Sequence, residues 1–265
     1  MHGIKRIGMR FLLTNDDGIY AQGLAAIKNE LEKHGDVTVI APVTEQSAVG
    51  HTITISDPLK VIPIYRAKEF YGYGITGSPA DCVKLGISCI MESPPDVVVS
   101  GINKGENVGI NVLYSGTVSA ATEALILGYT GVALSVDNYF NPDYSAAGLF
   151  GSRLAVTLAE KGESLPLALN VNCPSSSIEG IAGVRITRQG DSRIMDRFVK
   201  RENPRGVVYY WQAGVTTYID EAEDTDAYCL RNKMISITPI HYKLGIDNND
   251  RFLNSLDMEG LLRGL

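Results

Sequence analysis

The 265-residue chain reads as an α/β fold with a mostly parallel sheet and a β-rich C-terminal part. Three observations carry this reading. Met9 to Leu13, then Leu24, Ile27, Lys28 and Leu31 at helical spacing, then Val37 to Pro42 form a strand–helix–strand unit whose two strands run parallel. Pro95 to Ser100 carries a continuous apolar run, the pattern of a parallel strand covered on both faces. After about residue 175, short strand-like runs separated by polar turns replace the alternation of strand and helix.

The elements follow in order. The first helix ends near His34-Gly35, Thr44 to Gly50 is a polar loop, and Thr52 to Ile55 is a candidate for extended structure. Val61 to Tyr65 alternates as a strand. Ser78, Pro79 and Asp81 are an N-cap, a first-turn proline and a first-turn acid, so a helix is expected from there to about Met91. A glycine-rich loop spans Gly101 to Gly116, and a helix spans Thr117 to Leu127. Val132 to Val136 and Leu167 to Val171 read as strands around a helix over Ser145 to Glu160. Val184 to Thr187, Val207 to Trp211 and Met234 to Ile240 read as strands, and Phe252, Leu253 and Leu256 suggest a short helix. Gly190 to Pro204 is polar and charged and reads as a mobile loop near an oligomer contact. The expected organisation is a core over residues 1–175 and a β-rich extension over 176–265.

Composition narrows the function. The net charge is −6, from 24 basic and 30 acidic residues, and no long basic run would follow a nucleic-acid backbone. Hydrophobic residues make up 45% of the chain, yet no apolar run reaches the length of a membrane span, and the first eight residues do not resemble a signal peptide. A cytoplasmic protein is the expectation. The four cysteines contain no CxxC pair and read as reduced and mostly buried. No GxxxxGK[ST] loop, GxGxxG fingerprint, GxSxG elbow or histidine cluster is present, which weakens ATP, dinucleotide, serine-hydrolase and histidine-metal readings.

The chemistry gathers where strands end. Leu13-Thr14-Asn15-Asp16-Asp17-Gly18 ends an apolar strand in two adjacent carboxylates, which repel one another unless a cation offsets them. Thr44 to Gly50, with Ser47, ends the second strand, and a loop with Gly101, Asn103, Gly105, Asn107 and Gly109 at alternate positions ends a third. That loop leads into Ser115-Gly116-Thr117, small residues that open a helix whose unpaired N–H groups suit a phosphate. His51 follows the Ser47 loop and reads as a residue of the surface or of the site's surroundings.

These segments together resemble the SurE (survival protein E) family of nucleotidases and phosphatases. The matching pieces are Thr14 to Ile19, Ala41-Pro42, Gln46 to Ile55, Gly77 to Val83, Ser100 to Asn103, Tyr114 to Ala121, Thr225-Asp226 and Ser236 to Pro239, in order over most of the chain. The resemblance implies a Rossmann-like three-layer core binding one divalent cation, Mg²⁺ or Mn²⁺, and carries the ligand role onto Asp16, Asp17, Ser47 and Asn103. It implies a homodimer or homotetramer in which the C-terminal segment is exchanged. Lys104 departs from the small or apolar residue expected there, and either adds positive charge near the phosphate or points outward.

The expected activity is metal-dependent hydrolysis of nucleoside 5′-monophosphates, and of 3′-monophosphates as an extension. Asp16 or Asp17 acts as general base, and Asn107 with the N–H groups near Ser115, Gly116 and Thr117 binds the phosphate. A broad phosphatase or short-chain exopolyphosphatase using the same site, and a non-catalytic metal- or phosphate-binding protein, are the alternatives. No nucleic-acid polymer or membrane is expected as a partner.

Overall fold

The computed structural model describes residues 8–161, 166–217, 222–245 and 255. The strands are β1 (Met9–Thr14), β2 (Gly35–Pro42), β3 (Val61–Arg66), β4 (Glu69–Ile75), β5 (Val97–Lys104), β6 (Thr130–Val136), β7 (Ala168–Cys173), β8 (Gly183–Ile186), β9 (Arg193–Glu202), β10 (Val208–Thr217) and β11 (Met234–Ile240). The α-helices are α1 (Gln22–Leu31), α2 (Pro79–Leu85), α3 (Gly116–Ile126), α4 (Ser145–Lys161) and α5 (Asp226–Arg231). Among the described residues the main sheet runs in the order β3-β4-β2-β1-β5-β6-β7-β11-β8. Its centre, β4 through β7, is parallel; β3 is antiparallel to β4 and β11 to β7.

Side-chain alternation along the strands builds the two sides of this sheet. Phe11 and Leu13 of β1, with Val97 and Val99 of β5, pack with Leu24, Ile27 and Leu31 of α1 and with Ala147, Ala155 and Ala159 of α4. Leu12 and Val98 face the other way, onto Cys82 and Val83 of α2 and Ala120 and Ala124 of α3. The result is the expected three-layer α/β core. Gly23 of α1 sits so close to β5 that a Cβ there would lie 1.9 Å from the Ile102 carbonyl oxygen. The α2 start is a capping box: Ser78 Oγ accepts from Asp81 N, and the Asp81 carboxylate accepts from Ser78 N.

Several expectations change. β4 was not anticipated, because Gly72 and Gly74 make its sequence read as a turn; a Cβ at Gly72 would lie 2.5 Å from the Val39 carbonyl oxygen of β2. The short helix α5 was also not anticipated. Gly190 to Pro204 is no loop throughout: its centre is β9, which pairs antiparallel with β10 as a separate hairpin. β10 runs on to Thr217, beyond the expected end at Trp211. Thr52 to Ile55 forms no regular strand, and the glycine-rich segment is partly ordered, as the end of β5 and a 3-10 turn over Gly109–Tyr114. β8 and β11 extend the core sheet, which therefore takes strands from both sides of residue 175. Cys82, Cys173 and Cys229 are buried, Cys89 is exposed, and all four are free thiols. The suggested helix at Phe252, Leu253 and Leu256 lies outside the described residues. Among the described residues no helix is long and apolar enough to cross a membrane.

Candidate active site

β1 lies between β2 and β5, so the winding of the sheet reverses between β1 and β5. In open α/β sheets the crevice beyond the carboxyl ends of such strands is where ligands bind. Thr14 and Ser100 are register partners there, so the carboxylates that follow β1 and the polar end of β5 share one crevice.

Asp16 is buried and placed from both sides. Its backbone oxygen accepts from Gln46 N at 2.7 Å, tying the strand end to the Ser47 loop. Its carboxylate accepts from Thr117 N at 3.1 Å and Thr117 Oγ1 at 2.5 Å, at the first turn of α3. Gly116 permits this approach, since a Cβ there would stand 2.9 Å from Asp16 Cβ. Ser115 caps the helix by accepting from Val118 N. The helix N-terminus favours an anion, but burial outweighs the Thr117 hydrogen bonds and pushes the Asp16 carboxyl above the usual carboxylate range.

Asp17 meets the end of β5. Its carboxylate accepts from Lys104 N at 3.3 Å and lies 3.5 Å from Lys104 Nζ, which is also 3.5 Å from Glu45 Oε2. Burial, then the charge of Asp16, push the Asp17 carboxyl up to about 6 despite Lys104. Burial disfavours the Lys104 ammonium, yet Asp17 and Glu45 outweigh it and hold Lys104 above its ordinary value. Lys104 therefore turns into the site rather than outward.

Ser47 Oγ donates to Glu45 Oε1 at 2.7 Å, and Asn103 Nδ2 donates to the Gly105 oxygen at 2.8 Å. Asp16, Asp17, Ser47, Asn103, Asn107 and Ser115 all line one cleft of about 440 Å³, within the roughly 300–1,000 Å³ of small-molecule sites. Asn107 is clamped: its N–H donates to Asn172 Oδ1, its carbonyl accepts from Asn170 and Asn172, and its Nδ2 lies 2.8 Å from Ser135 Oγ. A hydroxyl either donates or accepts, so the Asn107 amide can present its oxygen or its nitrogen to the cleft. Gly116 and Thr117 are buried behind Asp16, and Thr117 spends both of its donors on that carboxylate.

Sequence reasoning missed what holds the Ser47 loop. Glu123 of α3, buried among Ala and Thr residues, receives His51 Nε2 at 2.7 Å and Lys84 Nζ at 2.9 Å. Burial works to raise its carboxyl, and the hydrogen bonds from His51 and Lys84 overcome this and hold it below the usual range. A lone acid on an otherwise small-residue helix was the available signal. His51 is thus a brace for the loop.

The site's donor chemistry fits a hard divalent cation. Asp16, Asp17, Ser47 and Asn103 offer carboxylate, hydroxyl and amide oxygens at one strand-end crevice, and the two carboxylates are desolvated side by side. Among the described residues no cluster of three or more His, Cys, Asp or Glu could hold a metal.

A family model described as survival protein SurE matches residues 11–196. A 5′-nucleotidase SurE from Syntrophobacter fumaroxidans is 49% identical over 236 residues, covering 89% of this chain and 94% of its own. One from Syntrophus aciditrophicus is 48% identical over 237 residues, 89% of each chain. The crystal structure of the SurE protein from Aquifex aeolicus matches with a TM-score of 0.76 at 36% identity, over 92% of this chain and 98% of that one. By sequence and by fold, the chain belongs to the survival protein SurE family.

Proposed function

We propose that the chain is a divalent-cation-dependent 5′-nucleotidase that hydrolyses nucleoside 5′-monophosphates, and 3′-monophosphates as a secondary substrate, to nucleoside and phosphate. The observation that carries this reading is the desolvated Asp16–Asp17 pair set against the first turn of α3 in a cleft of ligand size. Relatives that cover most of the chain carry the name 5′-nucleotidase, which supports it.

Asp16, Asp17, Ser47 and Asn103 would hold one Mg²⁺ or Mn²⁺, which when bound would supply Lewis acidity to a phosphoryl oxygen and acidity to a water. Asn107 and Ser115 bind the remaining phosphoryl oxygens, with Gly116 and Thr117 serving them by admitting and fixing Asp16. Lys104, held between Asp17 and Glu45, adds positive charge at the same end of the cleft. Asp16, held by Thr117, or Asp17, held by Lys104, takes the proton from the attacking water. The hairpin exposes Phe198, Tyr210 and Trp211, which supports exchange of this segment between copies in a homodimer or homotetramer. Four free thiols fit a cytoplasmic setting.

Phosphate release from 5′- and 3′-mononucleotides, p-nitrophenyl phosphate and short polyphosphate, with EDTA or with added Mg²⁺ or Mn²⁺, tests the reading. Cation-dependent release that favours 5′-mononucleotides is the expected result. Equal release from every substrate would make the protein a broad phosphatase, and no release with any cation would make it a binding protein.

A further inference from the structure

The loop between β6 and α4, residues 137–144, carries the rings of Tyr139 and Phe140 into the cleft wall that holds the carboxylate pair. Phe140, at its tip, is 95% exposed, and with Tyr139 it lines the cleft. The tip is not slack. Asn138 Oδ1 accepts from Phe140 N at 3.0 Å and Asn141 N at 3.2 Å, and Asn138 Nδ2 donates to the Asn141 oxygen at 3.1 Å. The loop's two ends are joined through Ser175, whose N–H donates to Asp137 and whose hydroxyl accepts from Asp143 N, each at 2.7 Å.

Tyr139 connects this tip to the phosphate end. Its ring lies 5.3 Å under Lys104 Nζ, and a Cβ at Gly105 would touch its edge at 3.6 Å. Phe140 meets Tyr139 edge to face, with centroids 5.4 Å apart at 83°. Lys104 and Phe140 thus both lie against Tyr139, and the outer face of Phe140 stays open to whatever fills the cleft.

We propose that Phe140, braced by Tyr139, is the stacking platform for the nucleobase of the substrate, and so the residue by which this chain prefers nucleotides over phosphomonoesters without a base. The proposal rests on the nucleotidase reading and names the part of the site that selects the substrate class. A ligand whose phosphate lies at Asp17 and Ser115 and which extends along the same cleft brings its far end to the aromatic tip, and a planar base is what an open ring face binds. Every base has a π-face, so the platform reads that a base is present rather than which base it is.

Steady-state hydrolysis of AMP, UMP and ribose 5-phosphate by the full chain with Mn²⁺, in wild type, Phe140→Ala and Phe140→Trp, tests this. Wild type is expected to favour AMP over ribose 5-phosphate. In Phe140→Ala that preference falls about tenfold, the order that base–aromatic stacking supplies, with the loss in KM rather than kcat. Phe140→Trp restores it, and UMP follows AMP. A wild type that hydrolyses ribose 5-phosphate as well as AMP, or a Phe140→Ala chain that keeps the wild-type preference, overturns the platform and leaves the nucleotidase reading standing. A Phe140→Ala chain that keeps its preference but dissociates into smaller species on size exclusion makes the ring a contact between copies and also overturns the proposal. A wild type inactive on every phosphomonoester overturns both.

Discussion

Asp17→Asn is the substitution that best separates the cost of the carboxylate pair from its use. In the cation-free protein the Asp17 carboxyl is pushed from 3.8 up to about 6, by burial first and by Asp16 second. A folded-state value raised above the unfolded one means that the folded chain holds its proton longer. The group's contribution is then fully favourable below about pH 4 and is lost as pH rises through about 6. A rise of that size corresponds to about 3 kcal/mol at pH 8 at 1.36 kcal/mol per pH unit, or about 2 kcal/mol after discounting for solvent at the open side of the cleft. Asparagine keeps the shape and can still accept from Lys104 N, but it carries no charge. In EDTA at pH 8 the variant is therefore expected to be about 2 kcal/mol more stable than wild type, a rise in Tm of roughly 4–8 °C for a chain of this size. The gap closes toward pH 4. Saturating Mn²⁺ reverses the order, because wild type gains stability from the ion and the variant gains much less. Thermal melts at pH 4, 6 and 8 with EDTA and with Mn²⁺ make the test. A variant less stable than wild type at pH 8 in EDTA, or a gap independent of pH, would refute the reasoning.

Two further substitutions address residues that act through others. Thr117→Val removes the hydroxyl that donates to Asp16 while preserving shape, and is expected to weaken Mn²⁺ binding about tenfold, as loss of an outer-shell partner does; calorimetric titration measures it, and unchanged affinity would mean that Thr117 N alone positions Asp16. Glu123→Gln replaces the charged anchor of His51 and Lys84, which are partly exposed, so the stability cost is small, about 1 kcal/mol. Its larger effect falls on the loop that carries Ser47: amide hydrogen exchange across residues 44–55 should quicken, and the same exchange as wild type would remove the bracing role.

The core was legible because its pattern is strong. Phe11, Leu12 and Leu13 alternate between two apolar faces, and Ser78-Pro79-Ala80-Asp81 writes a helix start with both halves of the capping box present. β4 was hidden because glycines that permit close approach to β2 look like turn residues. β9 was hidden because its hairpin stands apart from the main sheet, and Arg197, Lys200, Arg201 and Glu202 obscure the alternation that a covered face would impose. The carboxylate pair could be read from the sequence because adjacent acids at a buried strand end have little structural use. The anchoring of Asp16 by Thr117 could not, since the two are 101 residues apart and meet only when α3 docks beyond β1. The same holds for Glu123 with His51, and for Phe140, whose exposure is a property of the folded loop.

The most direct test of the central claim is to titrate Mn²⁺ into EDTA-stripped protein, recording bound cation by calorimetry and phosphate release from AMP in parallel, for wild type and Asp17→Asn. One ion per chain should bind in wild type, with activity rising along the same curve, and Asp17→Asn should lose most of both. Full activity in EDTA, or an Asp17→Asn chain that binds the ion and turns over AMP as wild type does, would contradict the account.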